Sequence, residues 1–145
     1  MTGSGSRSWK RAHWLVVVLV LASVTIASAN VRFFLQVMRN LQHYRVTGDQ
    51  VSMDLDRSEA GNLAFNLTLP SRRNNVDEVL MAGYLSAAYA IDRTGLLVKR
   101  VYVYAIVVND NGRTVATTAT AAQLIELVSQ KITPNKFLGT IERLN

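Results

Sequence analysis

A run of sixteen uncharged residues extends from Trp14 to Ala29 near the start of this sequence. Basic residues flank the run on both sides: Arg7, Lys10, Arg11 and Arg32. An α-helix rises about 1.5 Å per residue, so the run extends about 24 Å, less than the roughly 30 Å of a hydrocarbon core. The segment becomes long enough to span a membrane if residues 31–35 join the helix and Arg32 reaches the headgroups.

The same segment fits either a membrane anchor or a cleaved secretory signal. Ala27-Ser28-Ala29, ahead of Asn30, matches an A-x-A cleavage site. The apolar run has no Gly or Pro break, however, and the helical pattern continues through the site. We therefore predict an uncleaved transmembrane helix at residues 14–35; the alternative is a secreted soluble ligand-binding or sensory module, released by cleavage after Ala29. The predicted anchor residues are Trp14, Leu15, Val16, Val17, Val18, Leu19, Val20, Leu21, Ala22, Val24 and Ile26.

The positive charge of the chain is concentrated near this segment. Residues 1–48 hold six basic residues and no acidic one, and the ten basic and ten acidic residues that follow balance. This distribution favours anionic lipid headgroups over nucleic acid as a partner. Residues 1–13 are predicted to be a disordered basic tail. That short basic tail favours a cytoplasmic N-terminus, although the basic residues on the two flanks of the segment tie in number.

Residues 31–44 predict an amphipathic helix that connects the membrane segment to a domain at residues 45–145. Its apolar stripe has the spacing of one helix face and consists of Phe34, Val37, Met38, Leu41 and Tyr44. We expect the stripe to pack on the domain's own sheet. The alternative is a helix that lies at the membrane interface or against a partner.

Four strands are predicted in the domain from alternating or β-branched residues. They cover residues 50–57, 62–69, 99–108 and 113–119. The third strand is apolar on both faces, which predicts a central strand with Tyr104 and Ile106 in the core. An Asn-Gly turn joins the third strand to the fourth, because this pair tolerates positive φ angles.

Three helices are predicted, at residues 76–91, 121–131 and 135–144. The evidence is the N-cap candidates Asn75, Thr120 and Thr133, a Gly stop after the first helix and a capping box before the second. The first is apolar nearly all round and rich in small residues, which favours packing on a sheet over a dimer contact. The element order is thus ββαββαα. It indicates an α+β domain of two layers, an antiparallel sheet of about four strands with the helices on one face.

Few side chains in this sequence are suited to catalysis or metal binding. Cysteine is absent, His13 borders the membrane segment, and His43 lies on the polar side of the predicted helix. Asp54 and Asp56 alternate with apolar residues, so we interpret them as the solvated side of a strand; the residues that follow fail the calcium-loop pattern. We predict no catalytic residue, no metal site and no cofactor.

Asn66-Leu67-Thr68 is an N-glycosylation sequon, which predicts a glycan on Asn66 if the domain is exported to a glycosylating compartment. The sequence as a whole predicts a single-pass, membrane-anchored, extracytoplasmic domain for binding or assembly that is not an enzyme. Its expected partners are membrane lipid, through the N-terminal helix, and a protein of unknown identity; nucleic acid is not expected.

Overall fold

The computed structural model describes residues 28–59 and 62–144. Within them, helix α1 covers residues 28–43. The other helices are α2 (Val76–Thr94), α3 (Ala121–Val128) and α4 (Pro134–Leu138). The strands are β1 (Ser52–Glu59), β2 (Asn62–Ser71), β3 (Arg100–Val107), β4 (Arg113–Thr120) and β5 (Glu142–Leu144). The predicted α+β class is confirmed.

The strands form one sheet in the order β1-β2-β3-β4-β5. Strands β2 and β3 pair parallel, with Ala64 opposite Arg100 and Ser71 opposite Val107, whereas the other neighbours pair antiparallel. The prediction of an antiparallel sheet of about four strands is therefore wrong in two respects. The sheet has five strands, and the pair β2 and β3 is parallel.

The length of α2 explains the parallel pair. Its 19 residues rise about 28 Å, and the 10 residues of β2 extend about 33 Å. Because the two lengths are similar, α2 returns the chain to the end of the sheet where β2 begins. Strand β3 then runs beside β2 in the same direction, as in a βαβ unit.

The C-terminal element also differs from its prediction. Helix α4 ends at Leu138, and the chain turns through Gly139 and Thr140. Residues Glu142–Leu144 then form β5 on the edge of β4, opposite Ala116–Thr118. The prediction of one helix at residues 135–144 is therefore wrong, because pairing with the edge of β4 outweighs an apolar spacing that also suits a helix.

The sheet has a covered face and an open face. The buried side chains of β2 and β3 alternate along each strand and therefore share one face: Phe65, Leu67, Leu69, Val101, Val103, Ala105 and Val107. All four helices of the described residues pack on this side, as predicted. Tyr104 and Ile106 lie half-buried on the other side, which we call the open face. The prediction that both side chains lie in the core, on a strand covered on both faces, is wrong, because these helices leave that face uncovered.

Helix α2 approaches the sheet closely at Gly83. A Cβ atom on this glycine would lie 3.0 Å from both Leu69 Cδ1 and Val103 Cγ1. Ala87 and Ala90, on the same helix, are fully buried. The small residues of α2 therefore serve helix-on-sheet packing, which confirms the prediction for this helix.

Helix α1 packs beside α2 through Phe33, Val37 and Leu41, none of them more than 1% exposed. The Phe33 ring meets the ring of Phe65 edge-on at a centroid distance of 4.8 Å. The predicted stripe is thus correct for Val37 and Leu41 but misses Phe33, which precedes its first member. Phe34 is only partly buried against this core.

Two members of the predicted stripe, Met38 and Tyr44, are exposed instead of buried. The buried side of α1 is therefore rotated relative to the prediction. A hydrogen bond from Asn40 Nδ2 to the carbonyl oxygen of Ser86 (3.1 Å) accompanies this rotation, because it places Asn40 against α2.

Local signals at turns and helix ends are largely confirmed. Thr120 and Gln123 form the predicted capping box. Gly95 ends α2 with a φ of 69°. Asn111 and Gly112 both have positive φ angles, 51° and 71°, as the predicted hairpin turn requires.

Replacement of Gly83 by Leu tests the close approach of α2. We expect Gly83→Leu to lower the free energy of unfolding by about 1–3 kcal/mol or more, because the added side chain has no space between Leu69 and Val103. Urea unfolding of the full chain in detergent, followed by circular dichroism, measures the change. Asp92→Leu, at an exposed position of α2, is the control and should change stability by about 0.5 kcal/mol or less. Equal losses in the two variants would contradict this packing.

Tyr84 provides a test of the buried polar contact between α2 and β4. Its hydroxyl lies 2.8 Å from Thr117 Oγ1, and Thr117 itself donates to the carbonyl oxygen of Val103 (3.1 Å), so Tyr84 is the donor. Burial raises the pKa of Tyr84 well above its ordinary value, whereas the bond to Thr117 acts in the opposite direction. We expect Tyr84→Phe to cost about 1 kcal/mol at neutral pH.

The same variant has an expected pH dependence. Above a pH of about 10, Tyr84 ionises in the unfolded chain but stays neutral in the folded one, so its contribution to stability is lost as pH rises toward the folded pKa. The stability advantage of the wild type over Tyr84→Phe should therefore shrink between pH 9 and 11, by roughly 1.4 kcal/mol per pH unit once the unfolded phenol is ionised. Urea midpoints measured across that range give the difference, and a constant difference would contradict the raised pKa.

Candidate binding cleft

A cleft of about 840 Å³ opens at the end of the sheet where β2 and β3 finish. Its walls are the turn after α1, the end of β2 with the loop that follows, the first half of α2, and α4. Ligands of α/β proteins commonly bind outside the carboxyl ends of parallel strands, because a crevice forms there beside a helix N-terminus. We call this site the distal cleft, since it lies at the opposite end of α1 from residue 28.

The distal cleft combines apolar and charged side chains. The apolar lining includes Val46, Pro70, Met81, Leu85, Val108 and Leu138. Four charged side chains, all exposed, stand beside it: Arg45, Arg72, Asp77 and Glu78. Two cations and two anions around an apolar surface suit a ligand that has an apolar body and polar or charged groups.

The turn after α1 forms one wall and contains an unusual backbone conformation. Arg45 has a φ of 59°, in the left-handed region that favours glycine. For a residue with a side chain this conformation costs about 1–2 kcal/mol. A hydrogen bond from Val46 N to the carbonyl oxygen of Leu41 (3.0 Å) holds the turn in place. The geometry therefore presents the Arg45 side chain at the cleft at a cost in backbone energy.

Tyr44 precedes that turn and lies near the outer side of α2. Burial raises the pKa of the Tyr44 phenol, and neighbouring Tyr89 raises it further. His43 packs edge-on against Tyr44 at a centroid distance of 5.4 Å. The cleft wall is thus continued outward by a small aromatic group.

The loop between β2 and α2 forms the opposite wall. Asn75 was a predicted N-cap for α2, but its side chain makes no cap; Asn75 Oδ1 instead accepts a hydrogen bond from Arg72 N at 2.6 Å. This bond closes the loop into a tight turn. Asp77, in the first turn of α2, pairs with Arg143 of β5 at 3.5 Å, although both side chains are largely exposed. These contacts position the charged side of the cleft.

The side chains of the distal cleft are suited to binding. Its lining contains neither histidine nor cysteine, and the nearby His43 is exposed. A nucleophile paired with a base, as acyl transfer requires, is not found among these residues. In the described ranges 28–59 and 62–144, no three His, Cys, Asp or Glu side chains group as metal ligands. The arrangement can bind a ligand that has an apolar body and charged groups.

The open face of the sheet is a second surface with recognisable chemistry. Tyr102 and Tyr104 stand side by side on central β3, opposite Asn66 and Thr68 of β2. On the same face, Arg100 pairs with Glu142 at 3.6 Å. These side chains are half-buried apart from the exposed Glu142. The face therefore resembles a partly solvated polar and aromatic surface more than a closed pocket.

The remaining predicted site residues lie either on the open face or outside the described residues. Asn66 lies half-buried in the middle of β2, between Asp54 and Tyr102, so its glycosylation stays a prediction. Asp54 and Asp56 lie on the open face of edge strand β1. The predicted anchor residues and His13 lie outside the described residues. Among helices that the structure describes, none is both long and apolar enough to cross a membrane.

Sequence reasoning did not identify the distal cleft. Its residues come from four separate parts of the chain, and no motif links Arg45 or Arg72 with Leu138. One signal was available, since a helix that returns the chain beside a strand leaves a crevice at the far end of the pair. That signal depends on the parallel direction of β2 and β3, which the hairpin pattern obscured.

Comparison with known proteins supplies no relative from which to transfer a function. No protein family, curated protein or solved structure matches the chain. The site is therefore defined by its own residues and their geometry.

Proposed function

We propose that this chain is a single-pass membrane protein that holds a non-catalytic binding or assembly domain outside the cytoplasm, with its N-terminus in the cytoplasm. Helix α1 is the observation that carries the proposal. Its described part is helical from residue 28 to residue 43, so it includes Ala29, the last residue of the uncharged segment, and its inner side is buried from Phe33 onward. Because Phe33 is buried in the domain core, the proposed anchor ends near Ala29 and not at residue 35, and a span of this length is accommodated by local thinning of the bilayer. A helix rather than a flexible linker therefore joins the domain to the end of the proposed anchor.

The distal cleft is the binding surface in this proposal. About 15 residues of helix separate residue 29 from the turn at Tyr44, which corresponds to about 22 Å. Held at that height above a membrane, the cleft faces partners in the aqueous space. Its apolar residues and its four charged side chains suit a protein segment that carries apolar and charged groups. Lipid, through the anchor, and a protein at the cleft are thus the two proposed partners.

Mass and location of the full chain test the anchor. We expect protein of full-length mass in carbonate-washed membranes of bacterial cells that express it, because an uncleaved apolar helix resists extraction. A product that starts at Asn30 in the soluble fraction would overturn the anchor. It would support the alternative of a secreted module released after Ala29.

Orientation can be measured in the same cells, because the chain contains no cysteine. Val108→Cys, at a position 55% exposed beside the cleft, should react with a membrane-impermeant maleimide in spheroplasts. Ser4→Cys, in the N-terminal tail, should react only after lysis. The reverse pattern would contradict a cytoplasmic N-terminus.

The binding surface can be tested with a photocrosslinking amino acid, benzoylphenylalanine, placed at single positions of the full chain in cells. We expect a discrete adduct from Leu138, which lines the distal cleft, and none from Ile125, which is 63% exposed and does not line it. The third position, Tyr102, reports on the open face. Adducts from Tyr102 but not from Leu138 would move the binding surface from the cleft to the open face.

A further inference from the structure

The loop between α2 and β3, residues 95–99, exposes a large apolar side chain at its tip. Leu97 is 88% exposed, whereas the next residue, Val98, is 4% exposed and belongs to the core. Val98 N donates to the carbonyl oxygen of Leu96 at 3.1 Å, which turns the backbone sharply around Leu97. The fold therefore directs Leu97 outward while its neighbour is held inside. We call residues 95–99 the proximal loop.

Both ends of the proximal loop are fixed to regular structure. Gly95 N donates to the carbonyl oxygen of Ile91 at 2.9 Å, at the end of α2. Lys99 N donates to the carbonyl oxygen of Leu63 at 2.9 Å, at the start of β2. Because both ends are held, the backbone that presents Leu97 is fixed in place. The exposure of Leu97 is a property of the fold.

The proximal loop lies at the end of the domain where the uncharged segment meets α1. Ala29, Leu63 and Leu97 line one cavity of about 550 Å³, together with Arg57, Asn62 and residues 94–96. Val31, in the first described turn of α1, is also apolar and 55% exposed. An exposed apolar tip therefore stands beside the last residue of the proposed membrane segment, at the end of the sheet opposite the distal cleft.

Basic residues lie close to this apolar tip, before and after it in the chain. Arg93 precedes the loop and Lys99 is its last residue, both exposed, and Arg57 lines the shared cavity. The acidic neighbours are Asp92, one residue before Arg93, Asp56, one residue before Arg57, and Glu59, which pairs with the cavity residue Asn62 in the register of β1 and β2. An apolar residue framed by cations is the combination that binds at the boundary between phosphate headgroups and acyl chains.

We infer that the proximal loop is a second lipid contact, in which Leu97 enters the headgroup boundary and Arg93 and Lys99 pair with anionic headgroups. The inference rests on the proposed membrane anchoring. The anchor keeps the loop beside the bilayer at a high effective concentration, so one apolar side chain is enough to populate the contact. With two points of attachment, the domain has a defined tilt relative to the membrane. The distal cleft therefore faces a defined direction.

The test uses the full chain in vesicles of phosphatidylcholine with and without phosphatidylglycerol. Single cysteines at Leu97→Cys and at Val108→Cys carry the fluorophore NBD. Val108 is the matched control, because it is also an exposed apolar residue but lies beside the distal cleft. Flotation measures membrane association, and lipids spin-labelled near the headgroup measure contact through fluorescence quenching.

We expect the label at position 97 to shift to shorter emission wavelength and to be quenched, and the label at position 108 to do neither. Quenching at 97 should increase with phosphatidylglycerol, and high salt should remove the increase. The double variant Arg93→Gln, Lys99→Gln should also lose this increase but keep flotation. Quenching that is equal with and without phosphatidylglycerol would overturn the headgroup contact.

The remaining outcomes separate the inference from the proposed function. Vesicles that float with the protein while position 97 stays unquenched would overturn the lipid contact and leave the anchoring intact. Failure to float would overturn both. A shift at position 97 that lipid quenchers do not reach, and that disappears on dilution of the protein in lipid, would overturn the lipid contact in favour of a second copy of the chain.

Discussion

The close packing of α2 on the parallel pair β2 and β3 is the constraint on which the rest of the structure depends. At Gly83 the helix approaches so closely that a single Cβ atom would be 3.0 Å from Leu69 and Val103. This contact lays α2 along the length of both strands. The two ends of α2 therefore lie near opposite ends of the sheet. The distal cleft forms at the end where α2 begins, and the proximal loop at the end where α2 stops.

Helix α1 fixes the orientation of this domain relative to the uncharged segment. Phe33, Val37 and Leu41 bury their side chains on the covered face, and such residues contribute about 1.5–3 kcal/mol each relative to exposure. Burial begins only four residues after Ala29, so little chain is available for independent motion between the uncharged segment and the core. If the segment is an anchor, as we propose, the domain follows its orientation. The cleft then points away from the bilayer and the proximal loop toward it.

The two ends differ in chemistry as well as in position. The distal cleft offers apolar area of several residues with both signs of charge, which suits recognition of a partner. The proximal loop offers one apolar tip framed by cations, which suits a diffuse lipid surface better than a shaped ligand. Both features depend on backbone geometry that local contacts enforce: the left-handed Arg45 turn at one end and the turn around Leu97 at the other.

Most of the local elements of this protein follow from its amino-acid sequence alone. Alternation, caps and turn residues are readable from neighbours along the chain, so the hairpins, the capping box at Thr120 and the stop at Gly95 were predictable. Four features depend on packing between distant parts of the chain: the parallel direction of β3, the strand at Glu142–Leu144, the buried side of α1 and the distal cleft. Each of these depends on which surfaces pack together in the fold. The hydrophobic periods of 2.0 residues in a strand and 3.6 in a helix indicate an apolar face but do not predict which element covers it.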